Sequence, residues 1–208
     1  MDTERLIWEA QEGDDFALQD LYTRYYPRVA RIVRMRLGPR LRVVVEVDDI
    51  IQETFLRAVL QLQDFSVQSE AGFLDWLATI ALNQIRAAAK HWSREKRSPD
   101  REERHSIHPR DSLSERVLQI SARVTGPLTG AARSEREQIL EAALDELDEV
   151  HREVIILRSL VGASFEEIAA RLGRPSEAAA RELFRRARAR LAVKLRGRGL
   201  GQEDALGT

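Results

Sequence analysis

The sequence of 208 residues contains no cysteine, and this absence excludes disulfides, thiolate-metal sites and thiol chemistry within it. Lysine is scarce: only Lys90, Lys96 and Lys194 stand among the 33 basic residues. Nearly all cations are therefore arginines, which form forked hydrogen bonds with phosphates and guanine edges. No apolar run reaches membrane-spanning length, and the acidic start, with Asp2 and Glu4, is unlike a signal peptide. We therefore expect a soluble intracellular protein that is not inserted in a membrane.

The 33 basic and 34 acidic residues nearly cancel, but they are unevenly spread. Six arginines and no acid lie in 28–42, five bases and one acid lie in 86–97, and ten bases with two acids lie in 171–198. Clustered bases in a nearly neutral chain favour faces that bind a polyanion. A solvated helix face is the alternative for each stretch taken alone.

Helical spacing of apolar residues predicts an all-α protein made of two small helical domains. We expect the first domain over residues 1–97 and a flexible linker, broken by proline and glycine, over 98–133. The second domain is expected over 134–196, followed by a frayed tail over 197–208. Within the linker, one short amphipathic helix is expected over 112–124.

Three helices are expected in the first domain. Asp14 or Asp15 would cap the first helix, whose apolar stripe begins with Phe16. Asp48 would cap the second helix. The third helix would run over about 71–96, after a polar loop.

The second domain carries the strongest physical signal of the chain, a helix-turn-helix pattern over 164–196. Ser164 and Glu167 form a capping-box sequence, and Gly173 can supply the left-handed residue that ends the short helix. Ser176 can then cap a longer, arginine-rich helix. The N-terminal part of such a helix enters the major groove of DNA. An ordinary antiparallel helix pair with a charged surface is the alternative.

Two faces are expected on this arginine-rich helix. The buried face takes residues spaced four, three and four apart: Ala180, Phe184, Ala187 and Leu191. The opposite face takes small and charged residues: Ser176, Glu177, Ala179, Arg181, Glu182, Arg185 and Arg188. We expect that second face to meet DNA, with flanking arginines on phosphates.

The end of the third helix interleaves bases with His91 and Trp92 over residues 86–97. Bases beside a ring that can stack suit nucleic acid, including unstacked single strands. Core packing of Trp92 is an equally good interpretation.

The polar face of the second helix carries Asp48, Asp49, Gln52 and Glu53. A protein-docking face is favoured there over acid–base or metal chemistry, because no histidine joins these carboxylates. The sequence holds no P-loop, dinucleotide fingerprint or catalytic triad. We therefore expect no cofactor, no metal, no catalytic residue and no enzymatic activity.

Residues 48–58 read DDIIQETFLRA and resemble a highly specific motif in region 2 of bacterial sigma factors. The likeness is to the sigma-70 family, in its extracytoplasmic-function (ECF) group. The later part of region 2 is similar around Asn83, and region 4 is similar over 144–191. Together the similar segments span roughly 14–97 and 134–195, with no region 3 visible between them.

The resemblance implies a cytoplasmic protein that binds core RNA polymerase and directs it to promoters, with a possible anti-sigma partner. The residues that would dock on the polymerase clamp helices are Asp49, Gln52 and Glu53. The residues that would contact the −10 element are Asn83, Arg86, Lys90, His91, Arg94, Lys96 and Arg97. The residues that would contact the −35 element are Ser176, Glu177, Arg181, Arg185 and Arg188.

One departure from the family pattern concerns the −35 helix, where Ala179 and Glu182 replace frequent hydroxyl residues. This replacement shifts the expected base contacts toward Arg181 and Arg185. The main alternative function is a helix-turn-helix regulator that binds operator DNA without polymerase. The acidic face of the second helix argues against it, because a plain regulator needs no such face. A helical enzyme or metal protein is a third alternative.

Overall fold

In a computed structural model of the chain, the described residues are 2–66, 70–95, 115, 119–120 and 135–200. These residues form helices and no strand, which confirms the all-α prediction for the part of the chain that is described. The chain divides into two compact units: one comprises residues 1–33 and 39–131, and the other comprises 34–38 and 132–208.

Helices and short turns build the first unit. Its helices are α1 (Thr3–Gln11), α2 (Asp15–Arg36, without its last three residues), α3 (Pro39–Arg42), α4 (Val47–Gln61) and α5 (Glu70–Glu95). A 3₁₀ turn, Leu62–Asp64, follows α4. Neither α1 nor α3 has a counterpart in the sequence predictions, because α1 is a short segment before the expected first cap and α3 is a single turn.

The caps of α2 and α4 differ in how well they follow the sequence. Asp14 caps α2, since its Oδ1 accepts the backbone N–H of Phe16 at 2.7 Å, as expected. The predicted Asp48 cap is wrong, because α4 already begins at Val47. Instead, the hydroxyl of Tyr26 donates to Asp48 Oδ1 at 3.0 Å, and this bond fixes the carboxylate beside α2.

Aromatic side chains fill the core of the first unit. Tyr22 lies 4.2 Å from Phe55, and Tyr25 meets Phe73 edge-on at 4.8 Å between ring centres. Burial of each large apolar side chain contributes about 1.5–3 kcal/mol. Phe16 is not among them: it is 82% exposed, because the first turn of α2 points it away from the core.

The second unit holds the expected helix-turn-helix and two helices before it. Its elements are α6 (Glu135–Asp145), α7 (Glu149–Ile156), a π-helical turn (Leu157–Val161), α8 (Phe165–Arg171) and α9 (Glu177–Arg196). Gly162 ends the π turn at φ +86°, a left-handed conformation that favours glycine. Its core includes the fully buried residues Leu144, Val154, Ala187 and Leu191.

Most of the predicted linker, 98–133, lies outside the described residues. Glu115, Gln119 and Ile120 are described, and all three are helical. None of the helices in the described ranges combines the length and apolar character that crossing a membrane requires.

Candidate nucleic-acid and protein interfaces

The first helix of the helix-turn-helix is fixed by a reciprocal capping box, as predicted. Ser164 Oγ accepts the backbone N–H of Glu167 at 3.2 Å, and Glu167 Oε2 accepts the backbone N–H of Ser164 at 2.6 Å. The hydrogen bonds from Ser164 hold the pKa of the Glu167 carboxyl below its usual value. Two donors that the helix leaves unpaired are thus satisfied, and α8 starts at a defined residue.

The turn between α8 and α9 is a Schellman motif. Gly173 takes φ +59°, and the N–H of Arg174 donates to the carbonyl of Ala169 at 2.8 Å. Ser176 Oγ then accepts the N–H of Ala179 at 3.2 Å, so the predicted cap of α9 is present. This turn sets the direction in which α9 leaves α8.

The buried face of α9 follows the predicted spacing at three of four positions. Ala180, Ala187 and Leu191 are completely buried. Phe184 is only half-buried, because its ring lies at the edge of the α8–α9 contact, 5.8 Å from the ring of Phe165. The prediction that Phe184 is a core residue is therefore wrong in part.

The outer face of α9 presents the predicted polar residues together. Each residue proposed for the −35 element is exposed: Ser176, Glu177, Arg181, Arg185 and Arg188. Ala179 and Glu182 on the same face are half-buried. This surface is therefore available to a partner, and most of its hydrogen-bond donors are the guanidinium groups of arginines.

Acids on α9 hold several of these guanidinium groups. Arg185 donates to Glu182 through Nε at 2.7 Å and through Nη2 at 2.8 Å, and Arg186 donates to the same carboxylate at 2.7 Å. These hydrogen bonds, from Arg185 first and then Arg186, lower the pKa of Glu182 to about 2. Arg181 pairs likewise with Glu177, one turn earlier. The arginines therefore have preset directions before any ligand binds.

Phe165 is a residue whose role the sequence did not reveal. The guanidinium of Arg181 lies 4.9 Å from the centre of its ring, and that of Arg158 lies 4.6 Å away. Such cation–π contacts contribute about 0.5–1 kcal/mol at exposed sites. Phe165 therefore orients Arg181 from a neighbouring helix, and only the fold could bring these residues together.

The acidic face of α4 is arranged as its spacing predicts. Asp49 is exposed, Gln52 and Glu53 are half-buried, and the three lie at i, i+3 and i+4. Glu53 pairs with Arg57 at 2.7 Å. No group of three or more histidines and acids suited to a metal ion occurs within the described ranges.

The C-terminal half of α5 carries exposed polar residues on the side away from buried Ile85. Asn83, Arg86 and Lys90 are exposed and follow one another at spacings of three and four, which places them on one side of the helix. His91 is exposed, whereas Trp92 is half-buried. Arg94 belongs to α5, but its side chain is not among the described parts of the chain. Lys96 and Arg97 lie outside the described residues.

A side chain of α1 binds the chain between α4 and α5. Gln11 Nε2 donates to the carbonyl oxygens of Leu62 at 2.8 Å and Phe65 at 2.9 Å. The ring of Phe65 lies 4.6 Å from that of Trp76. These contacts fix the start of the loop that precedes α5.

Comparisons with known proteins point to one family. A family profile described as "ECF sigma factor" matches residues 1–197. The chain is 33% identical over 193 residues to the RNA polymerase sigma factor NccH of Alcaligenes xylosoxydans xylosoxydans, covering 92% of this chain and 94% of that protein. It is 29% identical over 180 residues to the ECF RNA polymerase sigma-E factors of Salmonella typhimurium (strain LT2) and Escherichia coli (strain K12), covering 86% of this chain and 87% of each.

Proposed function

The chain belongs to the ECF sigma factor family, and we propose from this membership how its surfaces divide the work of a sigma factor. The protein binds core RNA polymerase and directs promoter-specific transcription initiation. We propose that it acts in the bacterial cytoplasm, where transcription takes place, and that it carries out no chemistry of its own.

We assign the first domain, residues 1–97, to polymerase binding and to recognition and melting of the −10 element. The second domain, 134–196, is assigned to the −35 element, with 98–133 as the connection and 197–208 as a tail. The helix-turn-helix of α8 and α9 supports the second assignment, because it presents a capped, arginine-rich helix on a buried scaffold.

The polymerase-docking face is proposed to be Asp49, Gln52 and Glu53 on α4. Buried Ile51 and Phe55 hold this helix against the core, so the polar side chains face outward in a fixed arrangement. Arg57 pairs with Glu53 and keeps its carboxylate extended along the helix. A partner surface with basic residues would complement this face.

The −10 element is proposed to contact α5 through Asn83, Arg86, Lys90 and His91, and to extend over Arg94, Lys96 and Arg97. Exposed bases that follow one side of a helix can track a phosphate backbone. The half-buried ring of Trp92 lies among them and can offer one edge to an unstacked base.

The −35 element is proposed to be read in the major groove by α9. Arg181 and Arg185 are the candidates for base edges, and Ser176, Glu177 and Arg188 lie at the flanks. Arginine forms paired hydrogen bonds with guanine, and each such pair discriminates by about 1–3 kcal/mol.

One observation carries the whole assignment: a single chain presents both an acidic helix face and a helix-turn-helix with an exposed arginine face. A plain operator-binding regulator accounts for the second feature and not for the first. An anti-sigma factor is a further partner that we propose, because covering either face would silence the protein.

Charge reversal on α4 tests the proposal. We expect Asp49→Arg with Glu53→Arg to weaken binding to core polymerase at least about 100-fold, since two attractive contacts become repulsive. The matched control is Glu12→Arg with Asp20→Arg, which makes the same change of charge at two exposed acids of the same unit. Pull-down with core polymerase and circular dichroism measure the outcome. Equal capture of both double variants, with helical content retained, would remove α4 as the docking face.

A further inference from the structure

An apolar cavity lies inside the first unit, between α2, α4 and α5. One of its walls is Ile120, which comes from the stretch that connects the two domains and not from any of these helices. Ile120 is only 6% exposed. The other walls include Leu18, Tyr22, Phe55, Ala58 and Leu77.

The segment around Ile120 has a polar side and an apolar side. Glu115 and Gln119 are helical, exposed and four positions apart, so they share one side of a helix. Ile120 is about 100° further round the helix axis, and it is buried. The polar side therefore faces solvent while the apolar side meets the first unit.

The sequence near Ile120 predicts a longer apolar stripe. Leu113, Val117, Ile120 and Val124 are separated by four, three and four positions. This spacing is typical of one face of an amphipathic helix. A stripe of that kind needs an apolar surface to cover it, and the cavity of the first unit offers one.

We propose that the apolar walls contributed by α2, α4 and α5 form an intramolecular docking surface, and that its occupant is the chain's own segment around Ile120, which closes the cavity. Docking shortens the connection between the domains. The 39 residues from 96 to 134 span at most about 140 Å when fully extended, whereas the 14 residues from 121 to 134 span at most about 50 Å. The connecting stretch is thus a tethered element and not a plain spacer.

A peptide-binding experiment on the purified full-length protein tests this inference without polymerase or DNA. The probe is a fluorescein-labelled peptide with the sequence of residues 112–124, and its binding is measured by fluorescence anisotropy. In the natural protein the attached segment competes with the probe at high effective concentration. If the segment covers this surface about 90% of the time, the apparent affinity for the probe falls about tenfold.

We expect Ile120→Asp to bind the probe about tenfold more tightly than the natural protein, because a buried carboxylate drives the attached segment off the docking surface. Gln119→Asp adds the same charge at the neighbouring exposed position and should behave like the natural protein. A probe that carries Ile120→Asp should not bind. Ile120→Ala should shift the affinity in the same direction by a smaller factor, without adding charge.

Three results would overturn the inference: equal probe binding by the natural protein and Ile120→Asp, no binding to Ile120→Asp while its helical content is retained, or the same gain with Gln119→Asp. If Ile120→Asp loses helical content, Ile120→Ala is the variant that tests the inference. An unchanged probe affinity of Ile120→Ala would then overturn the inference.

Discussion

The cations of α5 and α9 differ in what surrounds them. On α9, Arg181 is paired with Glu177, and Arg185 shares Glu182 with Arg186. On α5, the exposed Arg86 and Lys90 take part in no ion pair within the described part of the chain. α9 therefore holds its guanidinium groups in set directions by ion pairs, and the described residues around Arg86 and Lys90 of α5 provide no such pairs.

This difference suits two kinds of nucleic acid. Reading base edges in a duplex needs donors at fixed positions, and pairing along α9 supplies such positions. Each exposed ion pair contributes only about 0.2–1 kcal/mol, so little free energy is lost when an arginine leaves its acid to contact a base. Following an unpaired strand needs cations that adapt to a flexible backbone. We therefore expect variants of α9 to alter sequence preference and variants of α5 to alter affinity and its dependence on salt.

The largest effect is expected from removal of the arginines proposed to read bases. Arg181→Ala or Arg185→Ala should relax base preference within the −35 element, by about 5- to 150-fold at the affected position. Transcription from a promoter library randomised in that element measures the change. Lys194→Ala is the control: it removes a cation further along α9 that pairs with Glu146 at 2.8 Å, and it should weaken all promoters about equally. A uniform loss with Arg181→Ala and Arg185→Ala would show that α9 contributes affinity alone.

The next effect concerns α5. Arg86→Ala with Lys90→Ala should leave base preference unchanged and flatten the dependence of log K on log salt by about 1.4, since each single-strand phosphate contact contributes about 0.7. Binding of the holoenzyme to a single-stranded −10 oligonucleotide across salt concentrations measures this slope. Arg5→Ala with Arg24→Ala removes two other exposed cations of the first unit and should leave the slope unchanged. An unaltered slope in the α5 variant would contradict the assignment.

A smaller effect tests the turn that directs α9. Gly173→Ala should lower the free energy of unfolding by about 1 kcal/mol, because φ is +59° there and a Cβ atom is strained in that conformation. Gly197→Ala is the matched control, since its φ is −62° and an added Cβ would make only ordinary contacts. Chemical denaturation followed by circular dichroism compares them, and equal destabilisation would show that the turn is not strained by a side chain.

The smallest effect concerns the acid between Arg185 and Arg186. Glu182→Gln should tighten duplex binding about two- to threefold, because a charge that competes with phosphate is lost. The pKa of Glu182 is lowered to about 2 in the folded protein, so its ion pairs persist above pH 4.5 and are lost only as the pH falls toward 2. The ratio of the duplex affinities of Glu182→Gln and the natural protein should therefore stay constant between pH 5 and 8. Convergence of the two proteins toward pH 5 would show that Glu182 titrates in that range.

Local patterns predicted the second unit better than the first. The capping box at Ser164, the left-handed Gly173 and the cap at Ser176 all depend on neighbouring residues, and all three are present. Asp48 has the same local signal as a cap, yet it accepts a hydrogen bond from Tyr26, 22 positions away. The Asp48 carboxylate is bound by a side chain of another helix, α2, and local sequence patterns do not reveal such hydrogen-bond partners.

By itself, the sequence determined the helical class, the turn of the helix-turn-helix and which residues share a face of α4, α5 and α9, because helical spacing and caps act over a few residues. Even the pairing of Glu182 with Arg185 and Arg186 follows from spacings of three and four. Only the tertiary structure decided that Phe165 orients Arg181, that Phe16 is exposed and that Ile120 closes a cavity of the first unit. These features depend on which helices meet, and that choice is made by the packing of whole apolar faces rather than by any local pattern.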